Sequence, residues 1–418
     1  MTPILTVLFF ALLALSVPVA FAMLGGVAGA LWIEGKPMAV MAQRLYTSTQ
    51  SFPMLAIPFF ILAGNVMMSG RFGEYLVNIA RLLVGHMKGG LGHVSVIGSV
   101  MFGGVSGSAV ADALALGNAL IPVQKREGYP GGFAAAINAS SATISVLIPP
   151  SIPLILYGLI ANVSIVDLFV AGVLPGVLLG GGMLCMVGVV AHWRNLPRAP
   201  LPGGFRAFRR QILTAIPAIL MPVFVIGTLR FGIATPTEVS VMAVAYALIV
   251  SGLVYRDLSL RALWRAMVDT GLMTGAVMLI IMASSTVQWI LTAERVPMEL
   301  AAWVTSAFSE PWMVILAINA VLLLVGAFLD MPAAVLLLSP ILVSVGNAIG
   351  LDPVQLGLII VVNLSIGLYT PPVGTTLFIS AAIAGVGIGQ TVKALLPFYA
   401  VALLVLMLIS YVPMLTIY

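Results

Sequence analysis

Four short stretches of this chain bring break-prone and oxygen-bearing residues together: 102–112 (FGGVSGSAVAD), 138–153 (NASSATISVLIPPSIP), 326–332 (GAFLDMP) and 363–376 (NLSIGLYTPPVGTT). Proline pairs remove helix donors and leave upstream carbonyls without partners. Ser, Thr and Asn at the same places add further oxygens. Carbonyls and hydroxyls together make a hard-oxygen cage suited to a small cation such as Na⁺. Exposed helix N-termini beside them each carry roughly half a positive charge and suit a carboxylate. A cation and an organic anion at one midplane site is the chemistry of a cation-coupled symporter.

Such breaks need an unusual solvent, and the composition supplies one. The chain has 418 residues, is 61% hydrophobic and 7% charged, and has a mean hydropathy of +1.18. A water-soluble surface cannot be covered with so few charges. Apolar stretches of about 20 residues, the length needed to span a bilayer, recur throughout. Non-helical backbone at membrane depth costs several kcal/mol per unsatisfied group, so the four breaks must face protein, water or ligand. The net charge of +5 comes from short basic loops and does not indicate nucleic acid. Cys185 is the single cysteine, which excludes a disulfide within the chain, and His86, His93 and His192 have no ligand spacing. The apolar N-terminus, with Ala20-Phe21-Ala22, resembles a signal sequence but has no Lys or Arg before it. It reads as a retained helix.

The stretches recur in pairs. Asp112 and Pro122 reappear as Asp330 and Pro340, 218 positions on. Pro149-Pro150 reappears as Pro371-Pro372, Asn138 as Asn363, and residues 61–65 roughly as 281–285, at offsets of 222, 225 and 220. Each half is one version of a common unit. His86, Lys88, Lys125 and Arg126 flank the first Gly/Ser segment, whereas Glu310 and Asp352 flank the second. The positive-inside rule then opens the first to the cytoplasm and the second to the other side, which makes the repeat inverted. The arginines at 194, 198, 206, 209 and 210 and at 256, 261 and 265 fit cytoplasmic loops; Lys36 and Arg44 do not.

The elements that must hold these residues follow. Spans are expected near 4–16, 18–33, 53–69, 131–163, 166–191, 211–229, 236–254, 268–291, 354–386 and 394–418. Segments 71–88 and 292–308 are amphipathic and read as interfacial arm helices. Segments 89–126 and 311–350 are long enough to enter the membrane and return, so both read as re-entrant hairpins. The expected fold is an all-α polytopic membrane protein, an inverted repeat in which each half has a re-entrant hairpin and a broken helix. Its parts are 1–88 (scaffold and first arm), 89–163 (first hairpin and broken helix), 164–308 (scaffold and second arm), 309–386 (second hairpin and broken helix) and 387–418 (C-terminal span).

The run Phe102 to Asp112 resembles the first-hairpin signature of TRAP transporter large permeases. So do Ile148-Pro149-Pro150-Ser151, the run Gly232 to Glu238, and Asn363 to Thr376. The resemblance covers essentially the whole chain. It implies an elevator-type transporter in a bacterial inner membrane, coupled to Na⁺ and importing an organic acid. It also implies two partners, a separate small membrane subunit and a periplasmic substrate-binding protein. By the same resemblance, one Na⁺ site uses Ser106, Gly107 and Ser108 with Asn138, Ser140, Ser141 and Thr143. The other uses Gly326 and Asp330 with Gly367, Thr370 and Gly374. Substrate would lie between the tips, near Ser108, Ser151, Thr375 and Thr376.

Plainer roles compete. Small residues at 103–109 also permit close helix packing. Asp112 and Asp330 either cap helices or belong to ion sites. Hydroxyls in the broken helices can simply bond their own carbonyls, and Arg230 and Arg295 can serve as interfacial anchors. An intramembrane enzyme would need a nucleophile with a base, paired carboxylates or metal ligands, and none is evident. A stand-alone Na⁺/divalent-anion symporter and a passive channel remain as rivals. Substrate identity, Na⁺ stoichiometry and oligomeric state are not written in the sequence.

Overall fold

The computed structural model describes residues 1–198, 205–308 and 310–416, with the backbone alone for 205–211 and 215. The side chains of Arg206, Arg209 and Arg210, assigned above to a cytoplasmic loop, therefore lie outside the described residues. Among the described residues every regular element is helical.

The chain opens with α1 (Thr2–Ala14) and α2 (Val19–Ile33), an antiparallel pair of 13 and 15 residues. Helix α3 (Ala39–Thr47) follows and meets α4 (Ala56–Met68) at a 65° bend. The amphipathic α5 (Phe72–Val84) buries Phe72, Leu76, Val77, Ile79, Ala80 and Leu82 and packs on α6 (Gly90–Ser106). Helix α6 and α7 (Ala109–Arg126) are two legs separated by only Gly107 and Ser108. Then come α8 (Gly131–Ser141), a 3₁₀ turn (Ala142–Val146) and α9 (Ile152–Ala161), which are two halves of a broken helix. The long α10 (Ile165–Trp193) ends the first half.

The second half runs α11 (Phe205–Arg230), α12 (Pro236–Ile249) with a π turn to Val254, and the 34-residue α13 (Leu260–Ala293). Helix α14 (Val296–Ala307) leads to α15 (Pro311–Gly326) and α16 (Met331–Ala348), the legs of a second hairpin with a four-residue tip. Helix α17 (Pro353–Gly367) breaks before α18 (Thr375–Ala384), and α19 (Ile388–Tyr411) follows. Both hairpins and both broken helices thus stand where the Gly, Ser and Pro clusters put them. The Pro149-Pro150 and Pro371-Pro372 bonds, one in each break, are both cis.

Span count differs from expectation. Among the described residues, five helices are long and apolar enough to cross a bilayer: α10, α12 with its π turn, α13, α16 and α19. The bent α3–α4 pair would make a sixth. The segments at 131–163 and 354–386 are pairs of half-helices, as the expected breaks require, so neither counts as one continuous span. Those at 4–16 and 18–33 are too short, at 1.5 Å per residue, to cross a roughly 30 Å core unaided. Helix α3 lies between two expected spans, where no element was expected. Its sequence, AVMAQRLYT, is mostly exposed, with Met41 and Leu45 half-buried one turn apart on the face that packs on α13 (Leu260–Ala293).

Packing sorts the helices into two groups. In one, α1 packs on α2, α2 on α13, and α4 on both α12 and α13. The Asn65 amide donates to Thr270 Oγ1 at 2.9 Å, tying α4 to α13. Glu294, just past α13, accepts from the Met1 amine and the Thr2 N–H, both at 2.7 Å, which pulls its carboxyl down to about 2. The other group centres on the broken helices: α18 packs on α7 and α8, α15 and α16 on α17, and α19 on α8, α10 and α17. Helix α10 meets this second group through glycines at every fourth position. A Cβ at Gly172 would lie 2.7 Å from the Leu147 carbonyl oxygen, at Gly176 3.0 Å from Ile148, and at Gly180 3.0 Å from Val100. Small residues let backbones approach where lipid gives helices no hydrophobic reason to associate.

Candidate functional site

Each hairpin tip is seated on the break of a neighbouring helix. At the first, Gly107 is left-handed, with φ +57°, and a Cβ there would lie 2.1 Å from the Pro150 carbonyl oxygen. Only glycine fits both the angle and the approach. One turn earlier, a Cβ at Gly103 would lie 2.7 Å from Ser145 Cα, so the last turn of α6 presses on the 3₁₀ turn. At the second, a Cβ at Gly367 would lie 2.3 Å from the Gly326 carbonyl oxygen, and the Val373 N–H donates to the Ala327 carbonyl at 3.1 Å. Gly374 packs against the backbone of Thr370 and Leu368, its Cβ position 2.9 Å from the Thr370 carbonyl oxygen. The contacts are backbone to backbone, and they leave carbonyl oxygens crowded at both junctions.

The side chains named in advance distribute as follows. Ser106 Oγ accepts from the Ser108 N–H at 3.3 Å, and Ser108 caps α7 by accepting from the Ala111 N–H. Asn138 is buried and donates to the Ala113 carbonyl and to Ser380 Oγ, both at 2.9 Å, joining α8 to α7 and α18. Ser140 and Thr143 donate to helix carbonyls at 2.8 and 2.7 Å. Ser141 Oγ accepts from Ser99 Oγ at 3.0 Å. In the second half, Thr370 donates to the Ile366 carbonyl at 2.7 Å. Back-bonding of this kind spends the hydroxyl proton but leaves oxygen lone pairs.

The two breaks are themselves joined. Thr376, fully buried, sets its hydroxyl between the Ala139 carbonyl at 3.1 Å and the Leu368 carbonyl at 2.9 Å. Ser151, also buried, caps α9 and donates to the Val146 carbonyl. The buried hydroxyl of Thr375 has no protein partner.

The acids divide. Asp112 is not a cap, because Ser108 fills that place. It lies one turn into α7, fully buried, with Oδ1 accepting from Ser99 Oγ at 3.3 Å and Oδ2 without a partner. Asp330 stands at the N-cap of α16 but makes no side-chain capping bond. It opens instead into a cavity of about 580 Å³.

That cavity is the main site the structure offers. Ser106, Gly107, Ser108 and the first turn of α7 line one side, and Asp330, Met331 and Pro332 line another. Asn65 of α4 and Met273, Ala276, Val277 and Ile280 of α13 close it. Of the four residues expected near substrate, Ser108 lines it, whereas Ser151, Thr375 and Thr376 lie outside the lining, and Thr376 alone of these ties one break to the other. The α4 and α13 wall was missed. In sequence, an apolar residue facing a cavity looks the same as one facing lipid, and Asn65 was the only polar signal there. Among the described residues, no cluster of three or more His, Cys, Asp or Glu could hold a metal ion.

Comparison with known proteins gives this arrangement a family. The family described as "Tripartite ATP-independent periplasmic transporter, DctM component" matches residues 6–415. The chain is 48% identical over 419 residues to the Sinorhizobium fredii protein y4mL, covering all of both chains. It is 36% identical to the Pseudomonas aeruginosa C4-dicarboxylate TRAP transporter large permease DctM, over 93% of this chain and 91% of that one. It is 33% identical to the Escherichia coli 2,3-diketo-L-gulonate TRAP transporter large permease YiaN, over 96% and 94%. Among solved structures, the Alcanivorax borkumensis YdaH transporter aligns with a TM-score of 0.63 at 14% identity, over 89% and 88% of the two chains, a likeness of fold. A multi-pass helical chain, matched by the family model almost from end to end and by named large permeases at full length, belongs to the TRAP transporter large permease family and is a transport protein rather than an enzyme.

Proposed function

We propose that this chain carries an organic acid across the bacterial inner membrane, driven by Na⁺ and moving by an elevator mechanism. Substrate would be delivered by a periplasmic binding protein, with a separate small membrane subunit bracing the scaffold. The observation that carries the reading is the pair of tip-on-break junctions flanking one cavity. Crowded carbonyls at each junction suit a small hard cation, and a cavity between them suits the co-transported anion.

The moving body comprises both hairpins and both broken helices, residues 89–163 and 309–386. Helices α10 and α19 travel with it, because α10 packs its glycines on Leu147, Ile148 and Val100 while α19 packs on α8 and α17. Helices α1–α4 and α11–α13 form the fixed frame, and α5 and α14 are the arms between them. The two halves exchange roles by inverted symmetry. Na⁺ occupies the junctions of Ser106, Gly107 and Ser108 with the 3₁₀ turn, and of Gly326 with Gly367 to Gly374.

The test is uptake into proteoliposomes under an inward Na⁺ gradient, with this chain, its small subunit and its binding protein, omitting each in turn. Flux that needs Na⁺ and all three proteins supports the reading. Flux by this chain alone assigns it to the self-sufficient symporters, and flux indifferent to the Na⁺ gradient assigns it to channels.

A further inference from the structure

Helix α4 lines the 580 Å³ cavity with Ile61, Gly64, Asn65 and Met68. Their partners in the internal repeat, 220 positions on, are Ile281, Ser284, Ser285 and Gln288 of α13. All four of these line a different cavity, of about 260 Å³. Leu336 of α16 lines it too, and at the hairpin offset of 218 its partner is Asn118, which lines the first cavity. The two cavities follow the register of the repeat.

The second cavity lies between frame and body. Its lining comes from α13, Ser48 and Met54 on the frame side and from Leu156, Leu159, Ile160 and Leu336 on the body side. At the first cavity the frame receives a hairpin tip: a Cβ at Gly64 would lie 3.3 Å from both Ser106 Cα and the Val105 carbonyl oxygen. Neither hairpin tip lines the second cavity. Helix α13 serves both with equal stripes. Met273, Ala276, Val277 and Ile280 line the first, and the residues eight positions on from each line the second. Eight residues of α-helix are about 12 Å. The stripes differ in chemistry, because the first is wholly apolar and the second carries two hydroxyls and an amide. Ser284 Oγ is engaged by Met23 Sδ at 3.5 Å, and Ser285 and Gln288 are half-buried. Polar groups out of water cost free energy unless a partner meets them, and a polar substrate arriving there would be one.

We infer that the second cavity is the substrate seat of the opposite-facing state, an inference that rests on the reading of a moving body with substrate in the first cavity. The body slides about 12 Å along α13, and Ser285 and Gln288 then face the organic acid in the places that Asn65 and Met68 hold here. The test uses the full chain with its small subunit in proteoliposomes, in Na⁺ and in choline buffer. Cysteine pairs Pro332→Cys/Val277→Cys and Pro332→Cys/Ser285→Cys, in a Cys185→Ser background, are bridged by a short bis-methanethiosulfonate and counted by intact mass. Pro332 and Val277 line the first cavity together, so the first pair reports the state described above. The second pair is expected to give at least tenfold more bridged product than the single-cysteine controls. Gln288→Trp, which fills the second seat, should cut that product at least tenfold and leave the first pair unchanged. Labelling of Ser108→Cys by an impermeant maleimide from each side reports motion independently of the seat. A silent second pair, or one that forms equally well in Gln288→Trp, overturns the second seat, and the moving body stands if Ser108→Cys is labelled from both sides. Labelling from one side only in both buffers overturns the moving-body reading and this inference with it.

Discussion

Gly367→Ala isolates the second tip-on-break junction from every other feature. Gly367 sits at the C-terminal end of α17 with no left-handed φ, so alanine brings no backbone penalty of its own. Its added methyl carbon would lie 2.3 Å from the Gly326 carbonyl oxygen, 2.5 Å from its carbon and 2.8 Å from its Cα. Real Cβ contacts do not fall below 3.0 Å, so tip and break must part by at least 0.7 Å. No flexible side chain can absorb that shift, because all three atoms are backbone. Overpacking of this kind costs about 1–3 kcal/mol. Where the strain is relieved by opening the junction, the loss falls on ion occupancy, and the half-saturating Na⁺ concentration rises roughly fivefold to a hundredfold at about 1.4 kcal/mol per decade. The assay is a Na⁺ titration of uptake in proteoliposomes, with Gly181→Ala on α10 as control. Nothing lies within 4 Å of a Cβ at Gly181, so that variant should match the wild type. A Gly367→Ala protein that transports with wild-type Na⁺ dependence would refute the placement of an ion at this junction.

Three further outcomes are expected. Ser106→Ala and Asp330→Ala should each raise the Na⁺ concentration needed for uptake, and an unchanged titration removes that residue from the ion sites. Thr376→Val keeps the shape but removes the hydroxyl shared by Ala139 and Leu368; the Leu368 carbonyl keeps the backbone N–H of residue 376, so the loss is about one buried hydrogen bond, about 0.5–1.5 kcal/mol, read as a lower melting temperature in nanodiscs. Single cysteines at Ser108 and Ala327, in a Cys185→Ser background, should change their side of labelling when Na⁺ and substrate are added, and fixed accessibility would count against an elevator.

Much of the architecture was legible in the sequence because a membrane leaves few excuses for irregular backbone. Gly107 and the Pro149-Pro150 and Pro371-Pro372 pairs each mark a place where a helix must stop, and the helices stop there. Partnerships were harder to read. Asn138, expected at an ion site, and its repeat counterpart Asn363 each use their amide N–H groups to brace helices, Asn138 to Ala113 and Ser380 and Asn363 to Asn319 at 2.6 Å, and no spacing foretells those partners. Thr376 reads as a substrate contact and is a tie between breaks. Such roles depend on which backbone approaches from a distant segment, and spacing along one chain does not encode that. The α13 wall was invisible for a different reason. Met273, Val277 and Ile280 are ordinary span residues until a hairpin tip comes opposite them.

The Thr376 tie has a consequence for the shape of a titration curve. Ala139 lies between Asn138 and Ser140 beside the first junction, and Leu368 follows Gly367 at the second. One hydroxyl proton serves both carbonyls, so a cation drawing on either oxygen alters the bond offered to the other. Events at the two junctions are then thermodynamically linked, and the linkage must be mutual. A sigmoidal dependence on cation concentration, with a Hill coefficient above one that relaxes toward one in Thr376→Val, is the solution behaviour this single side chain would impose.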